Sequence, residues 1–302
     1  YPVHPLFFFV HSTLCSIPIV VLLIATQKCA LHPNCRYLIS FWCISLLGVL
    51  VNIVMLNAQT MNYEKGFIPR GILDPPLRPH FLAIHSMTYA SSSCFEMFIA
   101  FERILSTRRP HVYHLSRENW TALISLTIFA YSLGSFIGYF IYIAGHHILG
   151  VLIYNTIDLS TLVINTIGIR YCKRRYDSLY AKASLNARYQ VFEAYEMARA
   201  MHPIYFGSFV LKGIGMAIAY VYFLMMSFFD GRLYALMDFG YFAVHAFNCA
   251  FSSAFLMYQH KSLRKSILTM VGSKSHFRAV IKIAHSSTTD TTDKYFTMLE
   301  NS

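Results

Sequence analysis

The sequence predicts an all-α membrane protein: a bundle of seven transmembrane helices with its N-terminus outside the cell and its C-terminus inside. Three observations carry that expectation. Of the 302 residues, 56% are hydrophobic and only 13% charged, with a mean hydropathy of +0.45, whereas a soluble domain carries about 25% charged residues. Seven windows approach or exceed the roughly 20 apolar residues that a spanning helix needs, at about 5–27, 37–57, 81–105, 120–143, 149–171, 203–228 and 235–257. The charge is also segregated. Of 25 Lys and Arg, 20 fall in one alternate set of segments (28–36, 103–119, 170–202 and 258 onward) and 4 in the other. Basic segments stay cytoplasmic, which fixes the orientation and explains the net charge of +11 without nucleic acid.

The windows are too long for barrel strands and lack sustained alternation. Inside lipid the backbone must satisfy its own hydrogen bonds, which leaves helices. Residues 1–258 form the seven-span domain and 259–302 a cytoplasmic extension. The chain opens at Tyr1 rather than Met, so its first residues are expected to be missing and span one to act as its own insertion signal.

In order along the chain, span one leads into the basic link Lys28–Arg36, and span two into the longest outer loop, 58–80. Three prolines in LDPPLRP (Pro75, Pro76, Pro79) predict a stiff, extended stretch there. Span three ends in FERILSTRR, 101–109. In span four, Gly134 and Gly138 of GSFIG present a small-xxx-small face, suited to packing ahead of dimerisation. The outer link 144–148 is so short that spans four and five must be antiparallel neighbours. From Ser184, placed to cap it, the inner segment reads as a cytosolic extension of span six, with a bend expected at Pro203. After Tyr258, Leu263, Ile267, Met270 and Val271 share one helical face and Lys261, Arg264 and Lys265 another. Such a helix is expected to lie on the inner leaflet, drawn to anionic lipid. The segment 285–293 reads as disordered.

Cys15, Cys43, Cys94 and Cys249 fall within spans, and Cys29, Cys35 and Cys172 on the reducing side, so no disulfide is expected. The Asn119-Trp120-Thr121 sequon falls on the cytoplasmic side and should carry no sugar.

Ionisable groups deep in a span are costly in lipid and face polar partners. Glu96 and Lys212 each lie 9 residues from the inner end of their spans, about 13 Å at 1.5 Å per residue. They are therefore expected to pair, with Asp158 as the competing partner for Lys212. Beside the inner boundary, Glu102 precedes Arg103. One reading is a snorkelling anchor; the other is a counter-charge that restrains Arg103 until a partner competes for it.

The outer half carries His85, Tyr89, Tyr154, Asp158, Tyr220, Tyr241 and His245 on spans three, five, six and seven. Aromatic walls with few polar groups suit a small organic ligand, though ordinary packing uses the same residues. No enzyme, metal site or cofactor is expected. His11, His85 and His245 lie 6, 4 and 10 residues from their outer span ends, and His80 and His85 are five apart, off one helical face. There is no phosphate-binding glycine loop or serine-nucleophile motif.

Three patches carry a family resemblance: LHPNCRYLI (31–39), FERILST (101–107) and SLNARYQVFEA (184–194). With the seven-span layout, the chain resembles the nematode serpentine chemoreceptors of the superfamily that includes classes alpha, alpha-beta, beta and epsilon, and is most similar to class epsilon. The resemblance implies a G-protein-coupled receptor in the plasma membrane of chemosensory neurons, detecting an environmental or pheromone-like small molecule. Carried over by position, Glu102 and Arg103 correspond to an acid–Arg switch. Arg188, Tyr189, Gln190 and Glu193 correspond to a motif at the base of helix six, structural or facing the G protein. Ligand in the outer half would part spans three and six at their inner ends. A heterotrimeric G protein would then meet the opened basic face, with Arg108, Arg109, Lys173, Arg174 and Arg175 beside Arg103. The implied partners are the ligand, the G protein and the bilayer, with homo- or hetero-oligomers open. A structural or trafficking subunit, or a ligand-gated channel, is the alternative on the same layout.

Overall fold

The computed structural model describes residues 3–29, 31–65, 77–108, 110, 120–179, 185–225 and 231–270. Apart from a single 3₁₀ residue at Leu77, their regular structure is α-helical. The helices are α1 (Val3–Lys28), α2 (Pro33–Lys65), α3 (Arg78–Arg108), α4 (Trp120–Tyr142), α5 (His147–Leu179), α6 (Leu185–Met225), α7 (Gly231–Gln259) and α8 (Lys261–Met270).

Six of them, α1, α2 and α4 to α7, are long and apolar enough to cross a membrane, and they mark the chain as membrane-embedded. The seventh predicted window, in α3, falls short by composition. Helix α3 carries Ser86, Thr88, Ser91, Ser92, Ser93, Glu96, Glu102, Arg103, Ser106 and Thr107, all buried. The packing gives the reason. Helices α1, α2, α4, α5, α6 and α7 touch neighbour to neighbour around a closed ring, and α3 lies against α2, α4, α5 and α6. Most of α3 is buried against these neighbours and only a narrow side, with Ile84, Phe101 and Leu105, is exposed, so it needs no apolar circumference. Its hydroxyls turn back onto its own backbone: Ser91 Oγ donates to the Met87 carbonyl at 2.7 Å, Ser92 to Tyr89 at 2.7 Å and Thr107 to Arg103 at 2.8 Å. Each hydroxyl is thereby satisfied without water.

Gly134 and Gly138 set the closest contact of α3. A Cβ on Gly134 would strike the Met87 carbonyl and one on Gly138 the Ala83 carbonyl, so small residues there are what lets α4 approach the α3 backbone. Four residues link α4 to α5, with Gly145 in the left-handed region at φ 75°, a conformation glycine adopts without steric cost. At the same end of the bundle, Arg78 of α3 pairs with Asp238 of α7 at 2.8 Å.

The expected outer loop 58–80 is corrected at both ends. Helix α2 runs on to Lys65, and Pro79 is not in an extended loop but in the first turn of α3, where a missing N–H is harmless. As expected, the inner segment and span six form one helix: α6 runs through Pro203 over 41 residues, about 60 Å at 1.5 Å per residue. That is about twice the hydrocarbon thickness, more than one membrane crossing needs. Helix α8 has the predicted two faces, and part of the apolar one packs on the bundle, with Ile267 and Met270 half-buried. Leu263 is fully buried, Ser266 Oγ donates to the Ala25 carbonyl at 3.3 Å, and Ser262 meets Cys29 Sγ at 2.9 Å. All seven cysteines are buried and free. Arg109, Asn119, Ser184, Val271 and the 285–293 segment lie outside the described residues.

Candidate functional site

Three polar layers run down the core, each joining α3 to another helix. Five of the seven residues expected to line a ligand site share one connected cluster, and a sixth, Asp158, belongs to the next layer. Tyr89 is at its centre. Its ring stacks on Tyr154 at 5.5 Å between centroids and on His245 at 4.1 Å, and Asn248 Nδ2 donates to its hydroxyl at 3.2 Å. Tyr241 lies 4.1 Å from His245, and His85 stacks on His245 with Nε2 and Nδ1 3.3 Å apart. Those two histidines had been placed at different depths by counting from the window ends. They meet because a residue count fixes neither a helix's tilt nor how far it extends past its apolar window. Tyr220 is half-buried on α6 and joins none of these ring contacts among the described residues.

Beside the cluster is a small cavity lined by Ser86, Tyr89, Tyr142, Tyr154, Met216 and Tyr241. Its volume is about 10 Å³, room for about one water. An organic ligand fits only if helices or side chains move apart.

The middle layer is a buried charge cluster. Lys212 Nζ of α6 lies 3.2 Å from Glu96 Oε2 of α3 and 2.9 Å from Asp158 Oδ1 of α5, and donates to Ser93 Oγ at 2.7 Å. Asp158 is thus a second partner, not a rival. Trp42 Nε1 donates to the other Glu96 oxygen at 3.2 Å, and the Tyr205 hydroxyl to the Glu96 backbone carbonyl at 2.9 Å. The ammonium also lies 5.5 Å and 6.0 Å from the Tyr89 and Tyr154 ring centres, which couples this layer to the aromatic one. Asp158 Oδ2 is buried with no hydrogen-bond partner among the described residues. One cation faces two acids, so the layer holds one negative charge more than positive, counted as fully ionised.

The third layer, toward the α8 end, repeats that stoichiometry. Arg103 of α3, 2% exposed, contacts the Glu102 carboxylate beside it and lies 3.8 Å from Glu193 Oε1 of α6. Glu193 also accepts the His32 backbone N–H at 3.2 Å, so the LHPNCRYLI and SLNARYQVFEA patches meet here. Gln190 and Glu193 are buried. Arg188 and Arg175 are half-buried, while Arg108, Lys173, Arg174 and Tyr189 are exposed. His260, between α7 and α8, packs nearby. Its Nδ1 accepts the Leu263 N–H at 3.4 Å, and burial, with Arg103 adding to it, lowers its pKa to about 4.

A scan against protein-family models finds no match to the chain, and a search of curated proteins finds none either. The residues that sequence reasoning missed are Trp42, Ser93, Tyr205, His260 and Asn248. Trp42 had a signal, since an indole in mid-span needs an acceptor. The others are single polar residues among many.

Proposed function

We propose that the chain is a G-protein-coupled chemoreceptor of the plasma membrane, akin to the nematode epsilon-class serpentine receptors. It crosses the bilayer seven times, N-terminus outside, with α3 carried through inside the ring of six apolar helices. The observation that carries this reading is Arg103: a buried arginine held between its own helix's Glu102 and Glu193 of α6. A permanently charged group in a dry interior is expensive unless paired. A pairing that spans two helices makes their separation a two-state event.

The layers supply a route to that event. A small organic ligand entering beside Tyr89, Tyr154 and Tyr241 must enlarge a cavity now about 10 Å³ in volume, and so moves α3, α5, α6 or α7 relative to one another. Lys212 and Glu193 both belong to α6, 19 residues and about 28 Å apart along one helix. A shift of α6 at Lys212 therefore reaches the Arg103 contact as a lever arm. With Glu193 withdrawn, Arg103 joins Arg108, Lys173 and Arg174 on a basic cytoplasmic face suited to the G protein. The ligand drives this only by its differential affinity for the opened state.

The test is nucleotide turnover by a heterotrimeric G protein reconstituted with the chain, with and without a panel of volatile and water-soluble cues. Cue-dependent turnover is expected. Glu193→Gln, which removes one contact of about 1 kcal/mol, should raise turnover without ligand by about fivefold. A trafficking or structural subunit would show neither, and a channel would pass current with no G protein present.

A further inference from the structure

Two grooves that meet at Tyr258 play no part in the switch. The first lies between the beginning of α6 and the α7–α8 junction, has a volume of about 610 Å³, and is lined by Tyr195, Glu196, Arg199, Tyr258, Lys261 and Arg264 among others. That size is typical of a small-molecule site. Three cations against one acid leave a surplus of two positive charges in its walls. The one ion pair across it among the described residues, Lys261 to Glu196 at 3.7 Å, involves a lysine side chain that is 74% exposed, so it is weak and readily exchanged.

The second groove is apolar, about 380 Å³, lined by Phe247, Phe251, Ala254, Phe255 and Tyr258 of α7, with Pro18 of α1 opposite. Its floor is a ladder of rings, Phe247–Phe251–Phe255–Tyr258, with centroids 6.3, 5.2 and 6.2 Å apart. From 247 to 258 the helix rises about 16 Å, close to half the hydrocarbon thickness, or one leaflet. The apolar track is thus one acyl chain tall and ends at the basic groove, and Tyr258, 64% exposed, lines both.

We infer that these grooves form a single site for an anionic phospholipid: one acyl chain lies along the α7 ring ladder, and Arg199, Lys261 and Arg264 hold the headgroup. The surplus of two charges suits a headgroup with at least two negative charges, a phosphorylated inositol, over one with a single charge. Binding replaces the Lys261–Glu196 contact with charge-assisted hydrogen bonds from lysine and arginine to phosphate. The site involves the stretch of α6 that also carries Glu193, on a different side of that helix, and it does not depend on the receptor reading.

The experiment uses the purified full chain in phosphatidylcholine nanodiscs. Lipid affinity is measured by titrating phosphatidylinositol bisphosphate or phosphatidylserine, with soluble inositol trisphosphate as a third arm. The bisphosphate lipid is expected to bind about tenfold or more tighter than either of the others. Arg199→Gln with Arg264→Gln should weaken it by about tenfold or more. Arg264→Gln alone should also weaken it, whereas Lys265→Gln, which removes the same single charge from α8 outside the groove, should change nothing. Ala254→Trp, filling the acyl track, should weaken the lipid and leave the soluble headgroup unaffected. Near-UV circular dichroism checks that each variant is folded. Equal losses from Lys265→Gln and Arg264→Gln would show diffuse attraction and overturn the site. Equal affinity for the soluble trisphosphate would overturn the acyl track, and parent-like binding by the double variant would overturn the headgroup assignment.

Discussion

Lys212→Met removes the only cation of the middle layer and leaves Glu96 and Asp158 facing each other in a dry interior. At an effective dielectric constant of about 20, the contacts of 3.2 Å and 2.9 Å are worth roughly 5–6 kcal/mol each before desolvation is subtracted. Breaking a buried pair by removing one partner typically costs about 3–5 kcal/mol net. The fall in apparent Tm, followed by tryptophan fluorescence of the purified chain in detergent, should be roughly 5–15 °C. The excess of acid over base then sets an order among the variants. Glu96→Gln or Asp158→Asn each leaves a neutral one-to-one pair and should cost less than Lys212→Met. Lys212→Met with Glu96→Gln still strands Asp158, so it should recover only part of the loss. The triple variant, which adds Asp158→Asn, should recover most of it. If either single acid substitution destabilises as much as Lys212→Met, the charge count behind this ordering is wrong.

Two further outcomes follow from the packing. Gly138→Ala puts a methyl group into the Ala83 carbonyl and should cost about 1–3 kcal/mol by overpacking, read as lost folded yield. Gly213→Ala, with nothing within 4 Å, should leave yield unchanged or higher. His260 gives a pH dependence. Its pKa is lowered to about 4 in the folded chain and returns to about 6.5 on unfolding. Its stabilising contribution is therefore complete above pH 6.5 and lost as pH falls toward 4. Between pH 7.5 and 5 the loss is about 2 kcal/mol, and His260→Gln should flatten that part of the Tm–pH curve.

Much of the fold was legible because it rests on local rules. Apolar length marked six of the spans, the short 144–148 link made α4 and α5 neighbours, and the 3.6-residue period of Leu263, Ile267 and Met270 marked α8. Helix α3 was the difficult case. Its window was counted among the apolar runs, yet its serines and charges fail that test, and only the surrounding ring explains how it is buried. For the site, depth counting was enough to pair Glu96 with Lys212. It offered Asp158 only as a rival for that ammonium, and could not bring His85 to His245 or turn Glu193 inward onto Arg103. Each of those depends on the angle at which a helix presents its side chain, which tertiary packing sets and a position along the chain does not.

The account rests on the basic segments lying together on the cytoplasmic side, and single introduced cysteines test that directly. The native cysteines are all buried, Lys173 is exposed on α5, and Gly145 lies in the link at the opposite end of the bundle. With a membrane-impermeant maleimide, Gly145→Cys should label on intact cells and Lys173→Cys only after permeabilisation. Labelling of Lys173→Cys on intact cells would contradict the account.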